Sequence, residues 1–411
     1  YDAFGSDTFD ELYTQFESDE SVPRDTISAQ ELILDILKER AETGRLYLMN
    51  IDHCNTHSSF LDKVSMSNLC QEITLPTKPL QHIDDPDGEI ALCILSAINV
   101  GKINRLDELE DLCDLSVRGL EELIDYQGYP VKAAENSTKR RRSLGIGFIG
   151  LAHYLAKNGV HYDDSSSWQL THDLSEAFQY YLLKSSNQVA KEKGKCEYFN
   201  HTKYSLGVLP IDTYKREVDE IVPNNLKYDW NDLRMSILEH GLRHSTLSAQ
   251  MPSESSSVVC NATNGIEPPR DYLSVKKSKK GPLKQVVPSF GSLKNNYTLL
   301  WEMRDNDGYI KIISVMQKFF DQAISGNWSY NPENYPDNEV PVSVMANDFL
   351  TTYKYGWKTS YYQNTYDNKT DEVDLSIPNT DDVGIQGKSK LNNLLDELDQ
   401  ADEEECESCA I

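Results

Sequence analysis

Ser67-Asn68-Leu69-Cys70-Gln71-Glu72 sets an amide, a thiol and a carboxylate at alternate positions. In extended backbone, residues two apart point to one face, so Asn68, Cys70 and Glu72 are expected to share a space. A thiol flanked by a hydrogen-bonding amide and a potential general base suits reaction at a hydroxylated carbon, although a small buried cysteine is common in any core. A second group, Ser253-Glu254-Ser255-Ser256-Ser257, is followed by Asn261-Ala262-Thr263-Asn264-Gly265. It offers hydroxyls and backbone N–H groups between a strand and a helix start, which suits an anion; an ordinary Ser-rich surface loop has the same composition. The adjacent pair Tyr361-Tyr362 reads as packing or as an interface. Cys406-x-x-Cys409 has no βαβ pattern around it, so it is unlike a thioredoxin site, and two cysteines cannot complete a zinc site. A dithiol that exchanges with more than one partner fits better.

Two further motifs have bland explanations. Gly145-x-Gly147-x-x-Gly150, with Asp163 and Asp164 downstream, matches a dinucleotide fingerprint. However, Lys139-Arg140-Arg141-Arg142 stands where a buried strand should lead in, and glycines that let a strand pack tightly explain the spacing equally well. Asp52-His53-Cys54-Asn55-Thr56-His57 offers three ligand types within five residues but lacks a paired Cys-x-x-Cys. A hydrogen-bonded structural loop is the expectation there, with no metal.

Elements must position these groups. Ser28 and Glu31 form a capping box before an apolar stripe (Leu32, Ile33, Ile36, Leu37) that Gly44 ends. Residues 45–51 read as a strand, and 52–68 as a polar segment without helical period. Helices are expected at 106–126, 168–193, 309–324 and 344–356, and a strand at 245–249. Strands and helices alternate, which favours α/β with a mostly parallel sheet. The 411 residues can bury a large core, and a net charge of −26 argues against coating nucleic acid. Residues 365–411 carry 14 acidic side chains against 3 lysines, a composition expected to be disordered. No apolar run is long enough for a membrane span, so a cytoplasmic protein is expected, with its eight cysteines as thiols unless chemistry uses them.

Taken together, the segments around Cys54 and Cys70, Gly88-Glu89-Ile90-Ala91-Leu92-Cys93, Arg141-Arg142-Ser143-Leu144-Gly145, Met251-Pro252-Ser253, the run from Asn261 to Arg270, and Lys358-Thr359-Ser360-Tyr361-Tyr362-Gln363-Asn364-Thr365 resemble the large subunit of class I ribonucleotide reductase. The resemblance implies the second half of a ten-stranded α/β barrel over residues 1–366, with a central radical loop, and a flexible acidic tail over 367–411. It implies that Cys70 is a transient thiyl radical, Glu72 takes a proton from the 3′ hydroxyl and Asn68 holds the sugar. Cys93 becomes one member of a reducing cysteine pair, and Tyr361 and Tyr362 a relay from a separate, metal-containing small subunit. Ser67, Ser253, Glu254, Ser255 and Ser256 become substrate contacts, and residues 144–149 barrel structure. Cys406 and Cys409 become a shuttle to thioredoxin or glutaredoxin. No cofactor is expected on this chain, and the substrate is a ribonucleoside diphosphate.

The chain departs from the family pattern in places. Upstream of Cys70 only Cys54 is present, and it does not match the second cysteine of the reducing pair. Cys406 and Cys409 are closer together than the familiar bacterial pair, and Cys260 stands where serine is common, so it is expected to pack. The upstream barrel strands are also missing from the match. The chain is therefore expected to act with a separate N-terminal chain, as split genes of some phages would require. A dehydrogenase using Gly145 to Gly150, and an inactive regulatory or assembly homologue, are the competing readings.

Overall fold

The protein is described by a computed structural model covering residue 3 and residues 8–278 and 281–367. The acidic segment from 368 onward, with Cys406 and Cys409, lies outside the described residues.

The central strand Leu144–Ile149 is buried at every position, as a strand covered on both faces should be. Ile94–Asn99 pairs with it in parallel over six residues. On its other edge, Leu144 N–H donates to Thr246 O at 3.1 Å and Ile146 N–H to Leu247 O at 2.9 Å. The expected strand at 245–249 is thus an extended segment held by isolated bonds. Gln250 in turn bridges Ile324 in parallel, so segment 321–325 forms the fourth member of the array. Further along, Trp328–Tyr330 pairs in parallel with Gln363–Thr365, and Leu48–Met49 pairs antiparallel with Thr359–Ser360. Among the described residues this array stays open and does not close into a barrel.

Helices cover the array. Glu108–Tyr126, Ser165–Lys193 and Asp307–Gln317 bury Cys113, Val117, Phe178, Leu182, Ile312 and Ile313 in one core. Phe148 of the central strand meets Phe178 and Phe320 at ring-centroid distances of 4.5 and 5.5 Å. The basic run turns inward: Arg141 pairs with buried Glu89 at 2.6 Å, and Arg142 with buried Glu121 at 2.7 Å. Helix Ala29–Thr43 begins where Ser28 accepts from Glu31 N–H and ends at Gly44 with φ 67°. A Cβ at Gly44 would lie 2.8 Å from Gln363 O, so glycine is required for that close approach. Among the described residues no helix is long and apolar enough to cross a membrane.

Four local expectations need correction. Ile51–Thr56 is a helix, too short for an apolar period to show in the sequence. Glu254–Val259 is a helix rather than a loop. The last long helix is Val342–Lys354, two residues earlier than read. The fourth matters most for the site: Asp307–Gln317 stops seven residues before the expected end at 324. Beyond it, Gln317 Nε2 donates to Phe320 O and Gln322 O at 3.1 and 2.9 Å, and Lys358 Nζ donates to the carbonyls of Phe320, Asp321 and Gln322. Buried side-chain donors hold those carbonyls, and the segment runs on extended.

Candidate active site

Asn68 and Glu72 pair across the Cys70 loop, but not through extended backbone. Gln71 has φ 68°, a left-handed conformation uncommon outside glycine, and its N–H donates to Asn68 O at 3.1 Å. Asn68 closes the resulting loop: its Oδ1 accepts from Ile73 N–H at 3.1 Å, and its Nδ2 donates to Glu72 Oε2 at 2.9 Å. Ser67 Oγ donates to Asn68 O at 3.2 Å. The alternating pattern therefore grouped these side chains on an extended conformation that the loop does not adopt.

Segment 321–325 holds this loop from behind. Ala323 N–H donates to Glu72 O at 3.0 Å, and Ser325 Oγ donates to Cys70 O at 2.6 Å and lies 3.4 Å from Glu72 Oε2. Gln322 Nε2 donates to Leu144 O at 2.9 Å and lies 3.7 Å from Cys93 Sγ. Asp321 fixes the segment's register by accepting from Leu247 N–H and Ser248 N–H at 3.0 and 2.9 Å. One extended strip thus supports Cys70, Glu72 and Cys93. Burial raises the Glu72 pKa above its ordinary value, opposed by the Asn68 amide, and burial pushes the half-buried Cys93 thiol up as well.

Tyr361 Oη donates to Cys70 Sγ at 3.4 Å. Its ring lies 4.2 Å, centroid to centroid, from that of Tyr362, the outer and less buried of the pair. Tyr47 touches both, at 4.7 and 5.3 Å. The pair is set between two short strands: Tyr361 N–H donates to Gly326 O at 2.7 Å, and Tyr362 N–H to Asn327 Oδ1 at 3.0 Å. Burial raises the Tyr361 phenol pKa, reinforced by the contact with Cys70. The phenol therefore keeps its proton and remains a donor to sulfur.

The serine group stands beside the tyrosines. A cavity of about 770 Å³ is lined by Glu254, Ser257, Arg270, Asn327, Tyr361 and Tyr362, among others. Ser253 is buried, with Oγ donating to Met251 O at 3.0 Å, whereas Glu254, Ser255 and Ser256 are exposed on the first turn of their helix. Cys260, expected to pack, is exposed.

The glycine-spaced motif and the histidine-bearing segment are both packed inside the fold. A Cβ at Gly145 would sit 2.8 Å from Cys93 Sγ, and one at Gly150 2.5 Å from Asn99 Oδ1. Gly145 packs tightly within strand Leu144–Ile149, and Gly150, with φ 80°, turns that strand into helix Leu151–Lys157 against Asn99 and Gly101. His57 is buried between Thr213 Oγ1 at 2.9 Å and Gln317 O at 2.6 Å, and His53 Nδ1 lies 2.9 Å from Trp357 O. Among the described residues no group of three or more His, Cys, Asp and Glu is arranged to hold a metal ion.

The sequence reading missed Tyr47, Gln322, Ser325 and Asn327. Only Tyr47 carried a signal, as an aromatic residue in a β-compatible run; the others act through backbone contacts made across long sequence separations.

Comparison with known proteins shows the family of the chain. Residues 1–363 match the family model described as ribonucleotide reductase, barrel domain. The chain is 57% identical over 376 residues to a ribonucleoside-diphosphate reductase subunit alpha of Haemophilus influenzae, covering 90% of this chain and 50% of that protein. It is 54% identical to a Salmonella typhimurium ribonucleoside-diphosphate reductase 1 subunit alpha over 391 residues, 94% of this chain and 51% of the relative. Against the subunit alpha of Enterobacteria phage T4 it is 41% identical over 384 residues, 92% and 50% respectively. The chain spans about half the length of the curated relatives it matches. On the family match and on the loop, strip and tyrosine pair that it encompasses, the chain belongs to the ribonucleotide reductase barrel-domain family.

Proposed function

We propose that this chain supplies the radical loop of a ribonucleoside-diphosphate reductase. The observation that carries the reading is the phenol of Tyr361 donating to Cys70 Sγ at 3.4 Å, with the Tyr362 ring against it at a tilt of 55°. A tyrosyl radical at Tyr361 oxygen would take the hydrogen of Cys70, breaking S–H and forming O–H, and leave a thiyl radical in the loop. That radical removes the 3′ hydrogen of a ribonucleoside diphosphate and becomes a thiol again. Glu72, a stronger base for its burial, takes the proton of the 3′ hydroxyl, and the 2′ hydroxyl leaves as water. Two thiols supply the two electrons and two protons, forming one disulfide for each deoxynucleotide made; Glu72 returns its proton to the 3′ oxygen and Cys70 its hydrogen atom to the 3′ carbon, and the re-formed thiyl radical recovers a hydrogen from Tyr361. Cys93 is one of the two reducing thiols, and its partner is assigned to the part of the relatives' length beyond this chain.

The remaining roles follow the same reading. Asn68 hydrogen-bonds the sugar, and Ser67 contacts the substrate beside it. The backbone and hydroxyls of Ser253, Glu254, Ser255 and Ser256 receive the diphosphate. Cys406 and Cys409 reduce the Cys93 disulfide by exchange and are themselves reduced by thioredoxin or glutaredoxin. The stored radical comes from a separate metal-containing small subunit and supplies the oxidising power. The test is deoxynucleoside diphosphate formation by the assembled enzyme. Cys70→Ser and Tyr361→Phe are each expected to abolish it, with nucleotide binding retained; turnover by Cys70→Ser would overturn the assignment.

A further inference from the structure

Arg40 is fully buried on helix Ala29–Thr43 and forms no ion pair among the described residues. Its guanidinium lies 4.4 Å from the centroid of Trp328. Nη1 donates to Tyr361 O at 2.9 Å and to Leu46 O, and Nη2 donates to Tyr362 O at 3.3 Å. Leu46 O belongs to the peptide bond that leads into Tyr47. One side chain therefore fixes the backbone at all three tyrosines whose rings touch. Burying a cation with no carboxylate partner is expensive, and a leucine would meet the packing need of a helix on a strand. What a leucine lacks is a rigid fork that can reach three carbonyls at once. The helix end adds a second tie, since Gln363 N–H donates to Gly44 O at 3.0 Å just beyond the tyrosine pair.

We infer that Arg40 is a positioning residue that sets the mutual arrangement of Tyr47, Tyr361 and Tyr362, and with it the approach of the Tyr361 phenol to Cys70. The inference rests on the reading of Tyr361 and Tyr362 as an electron relay. Arg40 touches neither sulfur nor substrate; it acts through the backbone that carries the rings.

The experiment uses the full chain with 3-fluorotyrosine placed in turn at 361, 362 and, as a remote control, 204, read by ¹⁹F NMR in unaltered, Arg40→Lys and Arg40→Met proteins. In both variants the signals at 361 and 362 are expected to move toward that of free fluorotyrosine, while the signal at 204, buried against Asp321, stays fixed. In the assembled reductase, kcat is expected to fall by about 10²-fold in Arg40→Met, the order of loss that a displacement near 1 Å produces, and by less in Arg40→Lys, with KM unchanged. Unchanged signals at 361 and 362 in either folded variant overturn the inference, as does a raised KM with kcat intact. Loss of the signal at 204 marks an unfolded Arg40→Met, and Arg40→Lys, which keeps charge and stem, then decides. An unaltered assembly that reduces no nucleotide rejects the functional reading, yet the ring signals still report whether Arg40 orders the tyrosines.

Discussion

Lys358→Met removes a buried ammonium two residues from Ser360 and three from Tyr361. Its Nζ donates to Phe320 O, Asp321 O and Gln322 O at 3.3, 2.9 and 2.8 Å, so it joins the tyrosine strand to the strip behind Cys70. Burial pushes its pKa from an ordinary 10.5 down to about 7. The unfolded chain then binds the proton that the folded chain gives up, and stability rises with pH through that window. At about 1.36 kcal/mol per pH decade, keeping this lysine buried costs about 4 kcal/mol at pH 7 and about 2 kcal/mol at pH 9. Methionine fills a similar volume and does not titrate. Other groups also titrate between these pH values, but both proteins carry them, so the difference between the two isolates Lys358. Urea unfolding at pH 7 and pH 9 should show unaltered protein gaining about 2 kcal/mol relative to Lys358→Met over this range. A gap that stays constant would mean that three carbonyl acceptors keep the ammonium charged to pH 9, and would refute the reasoning.

Other perturbations test the loop and the strands. Burial raises the Glu72 pKa, so its stabilising contribution is fully present below the unfolded value of 4.5 and is lost as pH rises through the folded value. Glu72→Gln should lack that decline in urea midpoints between pH 4 and pH 7, and equal declines in both proteins would exclude the assignment. At Gln71, with φ 68°, Gln71→Gly removes a left-handed penalty of about 1–2 kcal/mol against about 0.5–1 kcal/mol of added chain entropy. The expected order of melting temperature is glycine at or above glutamine, with Gln71→Val lowest; a valine variant as stable as the original would show that the turn carries no strain. Gly145→Ala sets a methyl 2.8 Å from Cys93 Sγ and 2.6 Å from Leu95 Cδ2, an overpacking worth about 1–3 kcal/mol. It should lower the melting temperature and change the rate at which iodoacetamide modifies Cys93, and an unaffected melt would put the strand register in question.

Where structure is decided locally, the sequence announced it. Ser28 and Gly44 mark the ends of Ala29–Thr43 through contacts three and four residues away. Where it is decided at long range, the sequence was silent or misleading. Residues 319–324 are apolar enough to continue the period of Asp307–Gln317, and only Lys358, Gln317 and the 246–250 segment convert them to an extended strip. Nothing near Ser325 indicates that its hydroxyl caps Cys70, 255 residues away. The Cys70 loop lies between these cases: spacing brought out Asn68, Cys70 and Glu72, whereas the turn depends on a left-handed glutamine that no glycine or asparagine signals.

The two thiols of the site differ in what surrounds them, and the difference bears on the chemistry each can do. The Cys70 loop is held through main-chain groups and the Asn68 amide, leaving Sγ to face the Tyr361 hydroxyl. On the proposed reading, hydrogen transfer along that single contact would move an electron and a proton together, so that no separated charge develops where a low dielectric would make it costly. Cys93 faces the amide of Gln322, with Glu72 among the charges that hold its pKa up. It is kept as a protonated thiol, and becomes a nucleophile for disulfide formation only when its proton is taken. On the proposed reading, Glu72 can serve the sugar's 3′ hydroxyl because neither thiol depends on it for hydrogen transfer, and one carboxylate held by Asn68 and Ser325 suffices for a site with two sulfurs.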